Sequence, residues 1–194
     1  MIWLGTALAA PPVPEPPEKP GVQVVIRGLV EQWNDPAIAA VYKSGTWLGG
    51  IGVVAPVIGP VSVDLEASFR RLQGEGSTFE VFPLSGVVEV GGPLGGGRAD
   101  GFVGLGPTWT GFSEKPTEAP VDLVQGARLG AELRAGLRLD TGLVDPPMPP
   151  ATGGPVRRLN LEIYLARRSG LPGGPTDGLQ LGAWRGCVGL GLGF

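Results

Sequence analysis

Residues 127–140 read ARLGAELRAGLRLD, and this stretch decides the fold. Every odd position in it is Ala or Leu, and every even position is charged or Gly. Side chains alternate between the two faces of a β-strand, whereas a helix repeats every 3.6 residues. A period of two over the whole stretch therefore predicts a strand with one apolar and one polar face.

The same alternation recurs in segments 60–73 and 156–169. Clusters of Gly and Pro divide the chain after residue 20 into eight such segments, each long enough for the roughly 9 to 11 residues that a tilted strand needs to cross a bilayer. The predicted strands are 22–33, 46–57, 60–73, 77–90, 98–110, 125–140, 156–169 and 179–194.

One of these segments, 77–90, breaks the alternation. If Phe79 and Val81 lie on the apolar face, a period of two places Glu89 on that face as well. A β-bulge adds one residue to a strand and so exchanges the faces beyond it. We therefore predict a bulge between Pro83 and Gly86 that returns Glu89 to the polar face.

The composition narrows the class of protein. The chain has 194 residues, enough for one domain, and 15 basic against 18 acidic residues give a net charge of −3. No Lys/Arg cluster marks one helical face, so we expect no nucleic-acid partner. No run of about 18 uncharged apolar residues could form a transmembrane helix. If the chain spans a membrane, it does so with strands.

Residues 1–20 are predicted to lie outside the folded domain. Segment 1–10, MIWLGTALAA, is similar to the latter half of a secretory signal peptide, and an ordinary disordered N-terminus is the alternative. Segment 11–20, PPVPEPPEKP, favours an extended tether because Pro lacks the N–H that a sheet ladder needs. The predicted organisation is a signal-peptide remnant with a Pro-rich tether at 1–20 and a β-barrel at 21–194.

The polar faces of the strands distinguish a soluble sheet from a membrane barrel. A soluble sheet exposes its polar face to water and usually carries Lys there. Here Lys19, Lys43 and Lys115 fall in the tether or in predicted loops, and nine arginines stand against nine acidic residues on the polar faces. Such a balance is expected of a closed interior, where each buried charge needs a partner. A soluble all-β domain is the alternative.

We therefore predict an all-β, closed, antiparallel up-and-down transmembrane barrel with an apolar, lipid-facing exterior and a salt-bridged lumen. The residues predicted to form the lumen charge network are Arg27, Glu31, Asp64, Glu66, Arg70, Arg98, Asp100, Arg128, Glu132, Arg134, Arg138, Arg158, Glu162 and Arg185.

Aromatic residues support this interpretation and suggest an orientation. With both ends of the barrel chain on the periplasmic side, the outward aromatics Trp47, Phe69, Phe79 and Trp109 fall near the extracellular ends of their strands. Aromatic residues at one common height along the barrel form one of the two girdles typical of membrane barrels. The loops that contain Lys43 and Lys115 are then predicted to be exposed at the cell surface.

The last predicted strand carries a motif. In residues 184–194 an apolar row alternates with Arg185, Cys187 and glycines, and the sequence ends on an aromatic residue. Such a strand resembles the assembly signal of bacterial outer-membrane barrels, and the predicted architecture of residues 21–194 resembles the small OmpA- and OmpX-type barrels. The resemblance implies location in the outer membrane, contact with outer-membrane lipids, and recognition of this strand by the barrel-assembly machinery. The residues of the implied signal are Trp184, Val188, Leu190, Leu192 and Phe194.

No catalytic or cofactor motif accompanies this architecture. The chain has no His, so nucleophilic catalysis with a His base is unavailable, and the single Cys187 supports neither a disulfide nor a metal site. The Gly-rich stretches 91–97 and 189–193 lack the Lys-Ser/Thr of a phosphate loop. We predict a non-enzymatic protein without cofactors that acts as a structural or anchoring component of the cell envelope or of an envelope assembly. The alternatives are a small channel or transporter for polar solutes, an enzyme, and a soluble ligand-binding barrel.

Eight strands leave an interior only wide enough for side chains. We therefore expect the long Arg and Glu side chains to plug the barrel, and small residues on the inward row of the last strand, such as Ala183 and Gly189, to make room for them.

Overall fold

The computed structural model describes residues 21–42, 46–74, 76–95, 98–116, 124–142, 158–170 and 181–194. Its elements, in chain order, are β1 (Gln23–Trp33), α1 (Pro36–Tyr42), β2 (Thr46–Ile58), β3 (Val61–Gln73), β4 (Ser77–Pro93), β5 (Ala99–Pro116), β6 (Val124–Asp140), β7 (Arg158–Gly170) and β8 (Ala183–Gly193). Each strand pairs antiparallel with its sequence neighbours, and β1 also pairs with β8. The sheet is thus a closed up-and-down barrel of eight strands, as predicted.

The closing seam gives the barrel two distinct ends. The β1–β8 ladder runs without a shift from Gln23↔Gly193 to Trp33↔Ala183. We call the end with Gln23 and Gly193 the terminal end, and the opposite end, where α1 follows β1, the α1 end. The β2–β3 turn lies at the terminal end and has two residues, of which Gly59 has a positive φ of 54° that other residues rarely adopt.

The predicted segments match the strands except at their ends. The largest differences are at the end of β5, which continues to Pro116 beyond the predicted residue 110, and at the start of β8, which begins at Ala183 where the prediction was residue 179. Strand β4 also continues to Pro93, beyond the predicted end at residue 90. Both prolines occupy the last position of a strand, where a missing N–H affects only the final rung. Residues 1–20, predicted as signal remnant and tether, lie outside the described residues.

The bulge predicted between Pro83 and Gly86 is wrong. The β3–β4 ladder passes from Ala67↔Leu84 to Arg70↔Val81 in unchanged register, and the β4–β5 ladder is equally in step from Ser77↔Pro116 to Pro93↔Asp100. The odd positions of β4 therefore face inward along the whole strand, Phe79 and Val81 included. The prediction failed because it assumed that every inward residue is polar.

The barrel is apolar outside and charged inside. Large apolar side chains are exposed along every strand, for example Ile26 at 64%, Leu105 at 61% and Leu165 at 68%. Charged side chains such as Arg134 and Glu132 are buried on the opposite face. This arrangement is the reverse of a water-soluble barrel, in which the apolar face forms the core.

Helix α1 was not predicted from the sequence, although its start has a recognisable signal. Asp35 precedes Pro36, and its carboxylate accepts a hydrogen bond from the Ile38 backbone N–H at 3.3 Å. An Asp N-cap followed by Pro in the first turn is a frequent helix start.

The predicted aromatic girdle holds in part. Phe69 and Trp109 are exposed on the outer surface in the half of the barrel nearer α1. The prediction for Phe79 is wrong, because its side chain is buried inside the barrel. The side chain of Trp47 lies outside the described part of the chain. Phe82 and Trp184 are further exposed aromatics in the same half.

Candidate functional site

The barrel interior is crossed by arginine side chains, and small residues make room for them. Arg27 on β1 has glycine neighbours on both adjoining strands. A Cβ at Gly52 would lie 2.2 Å from Arg27 Nη1, and a Cβ at Gly189 would lie 3.2 Å from Arg27 Cγ. A side chain at Gly52 would therefore displace the Arg27 guanidinium, and one at Gly189 would press against the Arg27 stem.

Arg27 binds carboxylates from two other strands. Its Nη2 lies 2.5 Å from Asp64 Oδ2, and its Nη1 lies 3.0 Å from Glu66 Oε2, both on β3. Its Nη2 also lies 2.8 Å from Glu162 Oε1 on β7. The other oxygen of Glu162 accepts from Arg138 Nε at 2.8 Å, so a second arginine shares this carboxylate.

The arginines of β6 continue the network toward β3 and β4. Arg134 Nη1 lies 2.5 Å from Asp64 Oδ2, and its Nη2 lies 2.8 Å from Glu132 Oε1. Arg138 Nη2 donates to Glu89 Oε2 on β4 at 2.6 Å. Asp64 therefore accepts from arginines of β1 and β6, which connects opposite walls of the barrel.

A third group of ion pairs lies nearer α1. Arg185 on β8 contacts Glu66, and its Nη1 lies 2.8 Å from Glu132 Oε2. Arg168 on β7 lies 3.2 Å from the same oxygen of Glu132 and 3.3 Å from Glu31 Oε1 on β1. Glu132 contacts three arginines and Glu66 contacts two, so the groups of ion pairs are joined into one network.

Tyr164 lies at the centre of this network. Its hydroxyl donates to Glu66 Oε2 at 2.7 Å. The guanidinium carbons of Arg27 and Arg134 lie 5.6 Å and 5.0 Å from its ring centroid, within the range of cation–π contacts. The ring therefore fills the space between two arginines without adding a charge.

The network is charge-balanced within the described residues. Six arginines are joined by ion pairs to six carboxylates: Arg27, Arg70, Arg134, Arg138, Arg168 and Arg185 with Glu31, Asp64, Glu66, Glu89, Glu132 and Glu162. Their side chains are 0–2% exposed, except Arg138 at 14%. Buried charges are costly unless paired and hydrogen-bonded, and this arrangement meets that condition.

An apolar layer closes the interior at the α1 end. Its buried members come from β1, α1, β3, β4, β5 and the start of β8: Trp33, Ile38, Tyr42, Leu72, Phe79, Val81, Phe112, Leu181 and Ala183. Arg70 joins the two layers, since it pairs with Glu31 at 3.5 Å and its guanidinium carbon lies 5.5 Å from the Trp33 ring centroid. The sequence analysis missed this layer because it treated apolar residues as outward.

Tyr42 fixes α1 to the barrel wall. Its hydroxyl lies in hydrogen-bond contact with Ser77 Oγ on β4 and donates to Glu114 on β5. Burial raises the pKa of Tyr42, and the hydrogen bond to Glu114 raises it further. The last turn of α1 is thus held over the apolar layer by two neighbouring strands.

The structure brings together most of the predicted lumen residues, but not all of them. The prediction is wrong for three residues, which are exposed near the terminal end and do not join the network of the described residues: Arg98, Asp100 and Arg158. They continue the polar row of their strands beyond the enclosed part of the barrel. Arg128 is buried at the other end, on the same side of the interior as Arg168.

Two members of the network were absent from the predicted set, Glu89 and Arg168. The alternation places Arg168 on the polar face of its strand, and the predicted bulge places Glu89 there too, but neither is in the predicted network set.

The apolar row of β8 lies on the outer surface. Trp184, Val188, Leu190 and Phe194 are exposed by 45% to 52%, and Leu192 is half-buried. The same strand pairs with β1 and with β7 and so closes the barrel.

The described residues contain no cluster of three or more His, Cys, Asp or Glu suited to hold a metal ion. None of the described helices is long and apolar enough to cross a membrane.

Known structures share this architecture. The N-terminal β-barrel domain of OprF from Pseudomonas aeruginosa has a TM-score of 0.53 and 13% identity, with 91% of this chain and 100% of that chain covered. Neisserial surface protein A (NspA) has a TM-score of 0.60 and 9% identity, with 90% and 97% covered. The outer membrane protein OprG from Pseudomonas aeruginosa has a TM-score of 0.51 and 13% identity, with 90% and 97% covered. At these identities the similarity is one of fold.

Sequence comparisons give no relative. No family model matches the chain, and no curated protein matches it.

Proposed function

We propose that this protein is a closed, non-conducting and non-catalytic barrel of the bacterial outer membrane that acts as a structural or anchoring component of the cell envelope. The observation that carries the proposal is the inverted distribution of residues, with an apolar exterior around an interior filled by a charge-balanced network. In a bilayer only helices or closed barrels satisfy all backbone hydrogen bonds, and this sheet has no open edge between its strands.

The location in the outer membrane is supported by two independent features. The exposed apolar rows would contact lipid, and the aromatics Phe69, Phe82, Trp109 and Trp184 lie in one half of the barrel, where an interfacial girdle would lie. The fold is also that of OprF, NspA and OprG, of which OprG is described as an outer membrane protein. We place the α1 end outside the cell and the terminal end in the periplasm.

The filled interior favours an anchoring role over a channel. A conducting pore needs a continuous aqueous path, whereas here Arg27, Arg134 and Arg185 reach carboxylates of other strands across the interior. The apolar layer beneath α1 is a second barrier. Such a barrel presents its ends and its outer surface to other molecules, so its partners are outer-membrane lipids, the barrel-assembly machinery during insertion, and components of an envelope assembly.

Conductance in planar bilayers tests the proposal. The wild-type protein should insert without producing discrete current steps. A matched variant, Arg27→Ser with Glu162→Ser, removes one charge-balanced pair and should produce steps or more frequent current noise, because it opens space beside Gly52 and Gly189. Stable steps in the wild type would reject the anchoring role and establish the small channel as the function.

Recovery of the protein after cell fractionation tests its location. We expect it in the outer-membrane fraction, extractable only with detergent. Recovery in the aqueous fraction would reject the membrane assignment.

A further inference from the structure

The outer surface carries a polar row at the α1 end of β7, β8 and β1. Three residues form this row. Trp184 of β8 pairs with Arg167 of β7 on one side and with Gln32 of β1 on the other. All three side chains are exposed, Trp184 by 52%. The Arg167 guanidinium carbon lies 5.6 Å from the Trp184 ring centroid.

This row marks the edge of the apolar surface. Leu165 lies two residues below Arg167 on the same face of β7, and its side chain is 68% exposed. Ile163 lies two residues further down and is 44% exposed. Two residues above it is Ser169, also exposed. A guanidinium and an indole directly above such a surface lie at the depth where lipid headgroups meet the hydrocarbon.

Arg167 differs from the other outward arginine at this end of the barrel. On the opposite wall Arg71 lies 3.7 Å from the carboxylate of Glu80. Within the described ranges no carboxylate lies within ion-pair distance of Arg167. Its contact with Trp184 is to an aromatic ring, which gives the guanidinium N–H donors no carboxylate partner.

We propose that Arg167 and Trp184 bind the phosphate-bearing headgroup of a lipid in the outer leaflet. The guanidinium would donate charge-assisted hydrogen bonds to the phosphate oxygens, which match its planar donors. The indole would cover the junction between headgroup and acyl chains, and the amide of Gln32 would supply a further donor at the same level. The acyl chains would lie along Leu165 and Ile163. This inference rests on the proposed function, because it requires the barrel to span the outer membrane with α1 outside.

Lipid titration with native mass spectrometry tests the site. The full chain, folded in detergent micelles, is titrated with bisphosphorylated lipid A and, separately, with phosphatidylcholine, whose headgroup has no net charge. The wild type should retain lipid A preferentially. Arg167→Gln should weaken lipid A binding about fivefold, as expected for one basic residue near an anionic lipid surface, and Arg167→Lys should restore part of the affinity.

Arg71→Gln is the matched control, because it removes an outward arginine that Glu80 already neutralises. It should leave lipid A binding unchanged. Equal losses in Arg167→Gln and Arg71→Gln, or no loss in either, would overturn the site. Displacement of lipid A by an equimolar amount of inorganic phosphate would mean that the site takes a free anion and would also overturn the proposal. Heat-modifiable gel mobility verifies that each variant is folded.

Failure of the underlying function has a different signature. Lys115→Cys in a Cys187→Ser background should react with a membrane-impermeant thiol reagent on whole cells, because Lys115 lies at the α1 end. Reaction only after lysis would reverse the orientation and place Arg167 in the inner leaflet. A protein that does not insert into vesicles of either lipid would refute the membrane barrel itself, whatever the titration gives.

Discussion

At the scale of single residues, the interior is held by arginines that each contact more than one carboxylate. Arg134 contacts Asp64 at 2.5 Å and Glu132 at 2.8 Å, and its side chain is fully buried. Removing one member of a buried ion-paired set leaves the others without compensation. Outward residues such as Leu133, 58% exposed, pack against no protein core.

Arg134→Leu should therefore destabilise the barrel more than Leu133→Ala. Breaking a buried pair by removing one partner costs about 3 to 5 kcal/mol, whereas truncating an outward Leu opens no internal cavity. Urea unfolding of the protein in lipid vesicles measures both losses.

A double variant provides the control for this comparison. Arg134→Leu combined with Asp64→Leu restores the charge balance and should recover part of the lost stability, because Arg27, the other partner of Asp64, keeps Glu66 and Glu162. If Leu133→Ala proves the more destabilising change, the inward and outward faces have been assigned the wrong way round.

Two glycines of β8 allow a test of interior packing. A Cβ at Gly189 would lie 2.9 Å from Val25 Cγ1 and 3.2 Å from Arg27 Cγ, whereas a Cβ at Gly186 would meet only Leu165 Cδ2 at 3.9 Å. Gly189→Ala should lower the free energy of unfolding by about 1 to 3 kcal/mol, the usual cost of overpacking. Gly186→Ala should be neutral or mildly stabilising in the same unfolding experiment. Equal effects of the two substitutions would mean that Arg27 does not occupy the space beside Gly189.

At the scale of elements, β8 is the strand that completes the barrel. Until it pairs with β1, both strands present unpaired N–H and C=O groups that hydrocarbon cannot satisfy. The backbone N–H of Phe194 donates to Val22 O at 3.0 Å, just beyond the last rung. Closure and insertion are therefore expected to be coupled through this end of β8.

Deletion of Phe194, or its replacement by Asp, should lower the amount of protein in the outer membrane and the fraction with heat-modifiable gel mobility. The expected cause is loss of the outward apolar row and of recognition by the barrel-assembly machinery. Cys187→Ser, on the inward face of the same strand, is the control and should insert normally. Normal insertion of the Phe194 deletion would exclude a role of this residue in assembly.

The strands differ in how well the sequence predicted their inward and outward faces. Alternation located all eight strands because a period of two identifies a strand wherever one face is consistently apolar, as in β6 and β7. It failed in β4, where Phe79 and Val81 are apolar and inward while Glu89 is charged and inward. Polarity indicates the face only if the interior is uniform along the barrel axis, and here it changes from charged to apolar.

The candidate site was predictable in membership but not in geometry. The polar rows placed Arg27, Asp64 and Glu66 inside, but which carboxylate meets which arginine depends on register and on the width of the barrel. The exposure of Arg98 and Arg158 likewise depends on where the enclosed part of the barrel ends, and the alternation continues past that point.

At the scale of the whole molecule, the distribution of side chains is inverted relative to a protein folded in water. Large apolar residues cover the outside, and six arginines with six carboxylates fill the inside. In water the exposed apolar rows would cause association, since soluble monomers rarely expose large contiguous apolar patches. In a bilayer the same rows are the favourable surface, and the paired charges are kept away from lipid.

The inversion is tested most directly by single nitroxide labels in lipid vesicles. Cysteines replace Leu105, Leu165 or Lys115, one at a time, in a Cys187→Ser background, and electron paramagnetic resonance compares collisions of each label with oxygen and with a water-soluble nickel chelate. Labels at Leu105 and Leu165, exposed by 61% and 68%, should be mobile, accessible to oxygen and protected from nickel, whereas the label at Lys115 should be accessible to nickel. Immobile labels at Leu105 and Leu165, or labels as accessible to nickel as the one at Lys115, would contradict an apolar surface in contact with lipid.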